Sequence, residues 1–145
     1  MLLNNMVQKE KQLLVKALCG YFLYGVICSV VHKKDGRLVE EDMKLSGMFE
    51  DGNFYFLDEM GSTYSYKYIP YLRPMSSMTE EEHNEWFQYY QNAEMEELNK
   101  SGDYFKAATS GDNAKYDWLN AHYFDYMGLI PLELAIEAPF EMYNC

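Results

Sequence analysis

Cysteine is scarce in this chain: Cys19, Cys28 and Cys145 are odd in number and share no CxxC spacing. A secreted scaffold stapled by disulfides and a cysteine zinc site are both disfavoured, and a reducing compartment, the cytoplasm, is expected. Histidine is equally scarce, at three. The nine glycines lie singly, mostly at turn signals, so no glycine-rich loop is present to cradle a phosphate. Basic residues number 12 against 23 acidic ones, a net charge of -11. That balance argues against nonspecific nucleic-acid binding, which needs Lys and Arg to neutralise phosphates. Long apolar runs are missing too. Ala17 to Val31 is almost wholly apolar and flanked by lysines, but its fifteen residues are too short to span a bilayer comfortably. Gly20 and Gly25 interrupt it, no small-x-small cleavage site follows, and neither Cys19 nor Cys28 follows the small residue of a lipoprotein signal.

What is present fits one folded domain over residues 1–145, with 48% hydrophobic residues and a length suited to a single core. The charge is unevenly placed. Residues 1–75 hold nine basic and nine acidic residues, whereas 76–145 hold three and fourteen. The expected fold is α+β: an N-terminal helix, a four-stranded antiparallel meander, then two acidic helices packed on the sheet.

The first helix is predicted from Asn5 to Cys19, capped by Asn5, with Val7, Leu14 and Leu18 on one face and Gly20 at the left-handed position after its end. Cys19, near the end of that face, is expected to be a buried small hydrophobe. Val26–His32 is β-branched and apolar, a central strand, and His32 is expected to be exposed beside the Lys34-Asp35-Gly36-Arg37 hairpin turn. A second strand follows from Leu38, with Glu40–Asp42 and Gly47 suggesting a bulge or an exposed interruption. A turn at Glu50–Asn53, a strand at Phe54–Leu57, a turn at Glu59–Ser62 and a strand at Thr63–Leu72 complete the meander. Tyr64, Tyr66 and Tyr68 alternate along this last strand, on a face that the sequence leaves open.

Pro70 and Pro74 are expected to stop the ladder, since proline has no N–H to donate. Thr79-x-x-Glu82 is a capping box. It starts a helix from Glu80 to about Asn99, whose first turn of Glu80, Glu81 and Glu82 suits the positive end of the helix dipole. Ser101–Gly111 is small and polar and reads as a loop. Asp112 is placed to cap a third helix through Tyr126, which Gly128 ends. Leu129–Ile136 fits either a helical turn or an edge strand.

Three segments stand out, Leu13–Val26, Pro70–Glu82 and Trp118–Pro139, and the second and third are specific in wording. In these the chain resembles a family of small uncharacterised proteins encoded by phages and mobile elements of Bacteroidales-type gut bacteria. The resemblance implies a phage-type accessory role and brings no catalytic or binding residues.

Candidate chemistry is sparse. His83 sits among Glu80, Glu81, Glu82 and Glu85, but the metalloprotease spacing needs a second His where Phe87 stands, so an exposed helix start is favoured and no metal or cofactor is expected. His122 with Asp125 or Asp117 is the weak acid–base candidate, weighed against a packed core histidine. The fourteen tyrosines and eight phenylalanines favour core packing first and a protein interface second, because basic neighbours for base stacking are few. The leading functional expectation is therefore a non-enzymatic protein that meets a basic protein partner through an acidic surface of Glu80, Glu81, Glu85, Glu94, Glu96 and Glu97. The alternatives are a small enzyme using His122, and a homo-oligomer formed through the tyrosine-bearing strand.

Overall fold

The computed structural model describes residues 8–48, 54–58 and 61–143. Within them α1 (Gln8–Tyr21) leads through a short 3-10 helix at Phe22–Tyr24 into the strands β1 (Ile27–Lys34), β2 (Arg37–Met48), β3 (Phe54–Asp58) and β4 (Gly61–Leu72). A second 3-10 helix (Met75–Ser77) precedes α2 (Glu80–Ser101) and α3 (Tyr104–Ala121), and a two-residue strand, β5 (Ile136–Glu137), follows. The fold is the α+β arrangement expected, with strands in the order β1-β2-β3-β4-β5.

The meander closes on itself, which the sequence did not signal. β1 pairs antiparallel with both β2 and β4. β2 and β4 are long enough to pair with β1 over one half and with β3 over the other. Closure of this ring leaves β1 and β3 without a free edge. Asp35 and Gly36 take φ of 54° and 77° in the β1–β2 hairpin, the left-handed pair such a turn demands. The alternation of β1 sends Cys28, Val30 and His32 inward, where they meet Met43, Leu45, Phe54 and Phe56 in or beside one core. Tyr68 faces inward, edge-on to Phe54 at 5.7 Å. Leu14, Ala17, Leu18 and Tyr21 of α1 complete this core with Leu129, Leu134 and Ala135 from the C-terminal segment. Full burial of side chains such as Leu14 and Leu18 contributes about 1.5–3 kcal/mol each.

Several expectations are corrected. His32 is buried, 1% exposed, because it falls on the inward parity of β1. Its Nε2 lies 3.2 Å from Glu41, and among the described residues its Nδ1 has no hydrogen-bond partner. Cys19 is exposed, one position off the buried stripe of α1. α1 continues through Gly20 to Tyr21, whose hydroxyl donates to the Phe124 carbonyl, and the left-handed residue is Gly25 (φ 65°). Gly20 instead admits Asn120, whose Oδ1 would lie 2.9 Å from an added Cβ. Of the two bulge signals in β2, Glu40–Asp42 pair regularly with β1, while the irregularity falls at the other, between Leu45 and Gly47. Pro70 lies within β4, opposite Cys28, next to the point where β5 pairing begins at Tyr71.

The helical half differs most. Ser101–Gly111 is no loop: Asp103 caps α3, accepting from the amides of Phe105 and Lys106, and Gly111 lies inside the helix. α3 ends at Ala121, before Tyr123, which takes φ of 63°. α2 packs along α3 rather than over the sheet, so the two form a hairpin that meets the rest of the molecule mainly through α3. The tail resolves into turns and then β5, parallel to β4 at Tyr71 and Leu72. The Asn5 cap, Val7, the Glu50–Asn53 turn and Cys145 lie outside the described residues, as does part of the Glu59–Ser62 turn.

Candidate functional site

The hairpin is joined to the barrel by a short, heavily bonded stretch. Thr79 Oγ1 accepts from the Glu82 amide at 3.1 Å, and Glu82 Oε1 accepts from the Thr79 amide at 3.1 Å, closing the expected capping box. The same carboxylate receives both guanidinium nitrogens of Arg73 at 2.8 Å. Arg73, just beyond β4, also lies 4.1 Å over the Phe124 ring. The Arg73 hydrogen bonds hold the Glu82 carboxyl below its ordinary range, with partial burial opposing them. A cleft of about 440 Å³ opens beside this pair, lined by Pro74, Ser77, Glu137, Pro139, Phe140 and Tyr143 among others. Its polar groups are largely committed: Ser77 donates to the Pro74 carbonyl, and Tyr143 donates to the Tyr71 carbonyl while accepting from the Ile27 amide.

Beyond this base the two helices depend on each other. Ala107, Gly111 and Ala114 make the buried side of α3, and their small side chains let α2 come close. A Cβ on Gly111 would meet Glu94 Cβ at 3.3 Å and the Tyr90 carbonyl oxygen at 3.6 Å. Trp86 Nε1 donates to the Lys115 carbonyl at 3.1 Å, and Lys115 Nζ lies 4.8 Å from the Tyr90 ring centre. None of the 22 residues of α2 is buried. Large apolar groups stay exposed on it, Phe87, Tyr89 and Met95, while Tyr104 and Phe105 stand about 80% exposed at the hairpin turn.

The six glutamates chosen from the sequence all lie on α2, but not as one patch. Glu80, Glu81 and Glu85 stand exposed on the first turns. Glu94 sits on the side that approaches Gly111. Glu96 and Glu97 line a second groove, about 320 Å³, with Tyr89, Ala93, Asn113 and Asp117. Asp117 thus joins the acidic surface; it was singled out from the sequence as an acid–base candidate.

His122 and Asp125 are not brought together as a working pair. His122 caps the end of α3, its Nδ1 2.8 Å from the Trp118 carbonyl oxygen and its ring stacked on Trp118 at 3.8 Å. It lines neither of the clefts above. Asp125 is 7% exposed and spends both oxygens on backbone amides, Leu129 at 2.7 Å and Ile130 at 2.9 Å. That is the chemistry of a turn-forming cap rather than of a proton carrier. Among the described residues, no group of three His, Cys, Asp or Glu side chains converges to hold a metal ion. No helix among them is long and apolar enough to cross a membrane. Sequence reasoning missed the Arg73–Glu82 pair and the exposed place of Tyr89 in the second groove. Arg73 stood nine positions from Glu82 across Pro74, and its partner depends on how the chain turns there.

Compared with protein-family models, curated proteins and solved structures, the chain matches none.

Proposed function

We propose that this chain is a non-enzymatic accessory protein of the phage or mobile-element kind, acting in the cytoplasm by protein–protein contact. The α2–α3 hairpin is the contact element, and the partner is a basic protein, such as one that handles nucleic acid or takes part in defence. The observation that carries this is the build of α2: 22 residues with none buried, on a hairpin holding ten acidic and three basic residues. A helix that leaves so much of its side-chain surface in water, with Phe87, Tyr89 and Met95 partly bare, has a face available to a partner. The charge supplies long-range attraction to a cationic partner and fast association, and aromatic groups supply the short-range part. Asp125, with both carboxylate oxygens held by backbone amides, supports the non-enzymatic side of this reading.

The test is capture from a bacterial lysate on the immobilised protein, at low and at high salt, beside the triple variant Glu94→Lys/Glu96→Lys/Glu97→Lys. A basic protein retained by the wild type at low salt, released at high salt and lost with the variant is the expected result. Equal retention by wild type and variant would remove the acidic surface from the account.

A further inference from the structure

We propose that one flank of the hairpin, the groove between α2 and α3 that holds Tyr89, Glu96, Glu97 and Asp117, is a docking site for a basic amphipathic helix of a partner protein. This rests on the protein-contact function proposed above and narrows it to one face and one kind of ligand.

Four observations select this face. First, it is concave, about 320 Å³, with Ala93 and Ala114 between the two helices, so a third helix can seat there. Second, it is negative: Glu96, Glu97 and Asp117 line it, against Lys100 alone. Third, it holds an aromatic ring at hand, since Tyr89 is 50% exposed. The surface continues onto the 3-10 helix, where Leu23 is 80% exposed and Tyr24 lies close enough to Asp117 and Tyr89 for both to raise its hydroxyl pKa, after the larger effect of burial. Fourth, the opposite flank is partly occupied, because Glu94 closes on Gly111 and Lys115 covers Tyr90.

The occupant follows from charge and shape. From Tyr89 to Lys100 the groove runs roughly 16 Å along α2, about three helical turns of a partner. Arginine suits such a wall, because its planar cation stacks on a tyrosine face and pairs with a carboxylate in the same pose. A second copy is opposed by the ten acidic residues of each hairpin.

The experiment uses the full chain and an 18-residue capped peptide carrying four arginines on one helical face and leucines on the next. A scrambled peptide of the same composition is the control. Affinity is measured by fluorescence anisotropy near physiological salt, with backbone amide shifts mapped by NMR. The amphipathic peptide is expected to bind at least about tenfold more tightly than the scrambled one, and Ala93→Trp, which fills the groove without changing charge, to cost about tenfold or more. Asn113→Arg, on the exposed opposite wall, is the second variant and is expected to weaken binding similarly should Ala93→Trp disturb folding. Glu80→Lys/Glu81→Lys/Glu85→Lys, away from the groove, is expected to change affinity less than about threefold. Equal binding of both peptides, or indifference to both groove variants with a loss on the Glu80/Glu81/Glu85 change, would overturn the groove while leaving a diffuse acidic contact in place. Absence of binding by either peptide even at low salt would overturn the groove and count against the acidic-contact reading as well.

Discussion

Arg73 is a single residue holding three parts of the chain. Its backbone joins β4 to the segment at Phe124, its guanidinium grips the first turn of α2, and its flat face covers a buried ring. Neither partner of the ion pair is more than about a fifth exposed, so this is no ordinary surface pair. Arg73→Met is expected to lower the unfolding free energy by about 2 kcal/mol, read from urea denaturation at neutral pH. The pH dependence has a definite sign. Because the folded Glu82 pKa is depressed, its contribution is present above the unfolded value of about 4.3 and fades as pH falls through the folded pKa. The gap between wild type and Arg73→Met should therefore shrink in acid. Asp125 makes a second case. Asp125→Asn places an NH2 group against one of two backbone amides and is expected to cost about 1–3 kcal/mol in the same measurement. A stability unchanged by Asp125→Asn would return Asp125 to the list of candidate proton carriers.

Among the elements, the hairpin depends most on small side chains. The segment from Ala107 to Gly111 looks like a loop in composition, and it is the contact strip of a helix whose cap, Asp103, lies nine residues before Asp112. Glycine costs a helix interior about 1 kcal/mol relative to alanine, so its place at 111 reflects the close approach of α2. Gly111→Leu is expected to push α2 away and destabilise the protein by about 1–3 kcal/mol, seen as a lower Tm and a loss of Trp86 fluorescence shielding. Gly111→Ala is expected to be nearly neutral, the gain in helix propensity offsetting crowding against Glu94, whose Cβ would lie 3.3 Å away. An equal loss for both substitutions would locate the defect in the backbone of α3 instead. In the barrel, the parity of β1 settles the fate of His32: two positions past Val30 it points inward, whatever its polarity.

At the scale of the whole molecule, buried phenols and one-sided charge set how the fold responds to solvent. Burial pushes the Tyr68 hydroxyl up to about 12, and raises those of Tyr21 and Tyr143 as well. A raised folded pKa means stability that is present below the unfolded value near 10 and lost as pH climbs through the folded one. Unfolding free energy is thus expected to fall steeply between pH 10 and about 12, and Tyr68→Phe should flatten part of that fall. A steep loss that begins well below pH 10 would point to other groups. The net charge of -11, concentrated in the helical half, is expected to make moderate salt raise the Tm by screening repulsion within the hairpin.

Local chemistry made much of this legible in the sequence. The Asp35–Gly36 turn and the Thr79–Glu82 capping box each depend on residues only a few positions apart, and each stands where the sequence placed it. The acidic excess of the helical half was legible in outline, since charge can be counted without a fold. Contacts between distant residues decided the rest. Pairing of β1 with β4 closed the sheet, and the Phe124 carbonyl drew α1 on to Tyr21. Packing against α2 made Gly111 helical, and chain reversal at Asp103 put Asp117 in the groove with Glu96 and Glu97. Residue type and spacing fix hydrogen bonds and periodicity within a few positions. Which face is left bare depends on what the rest of the chain covers, and only the tertiary structure settles that.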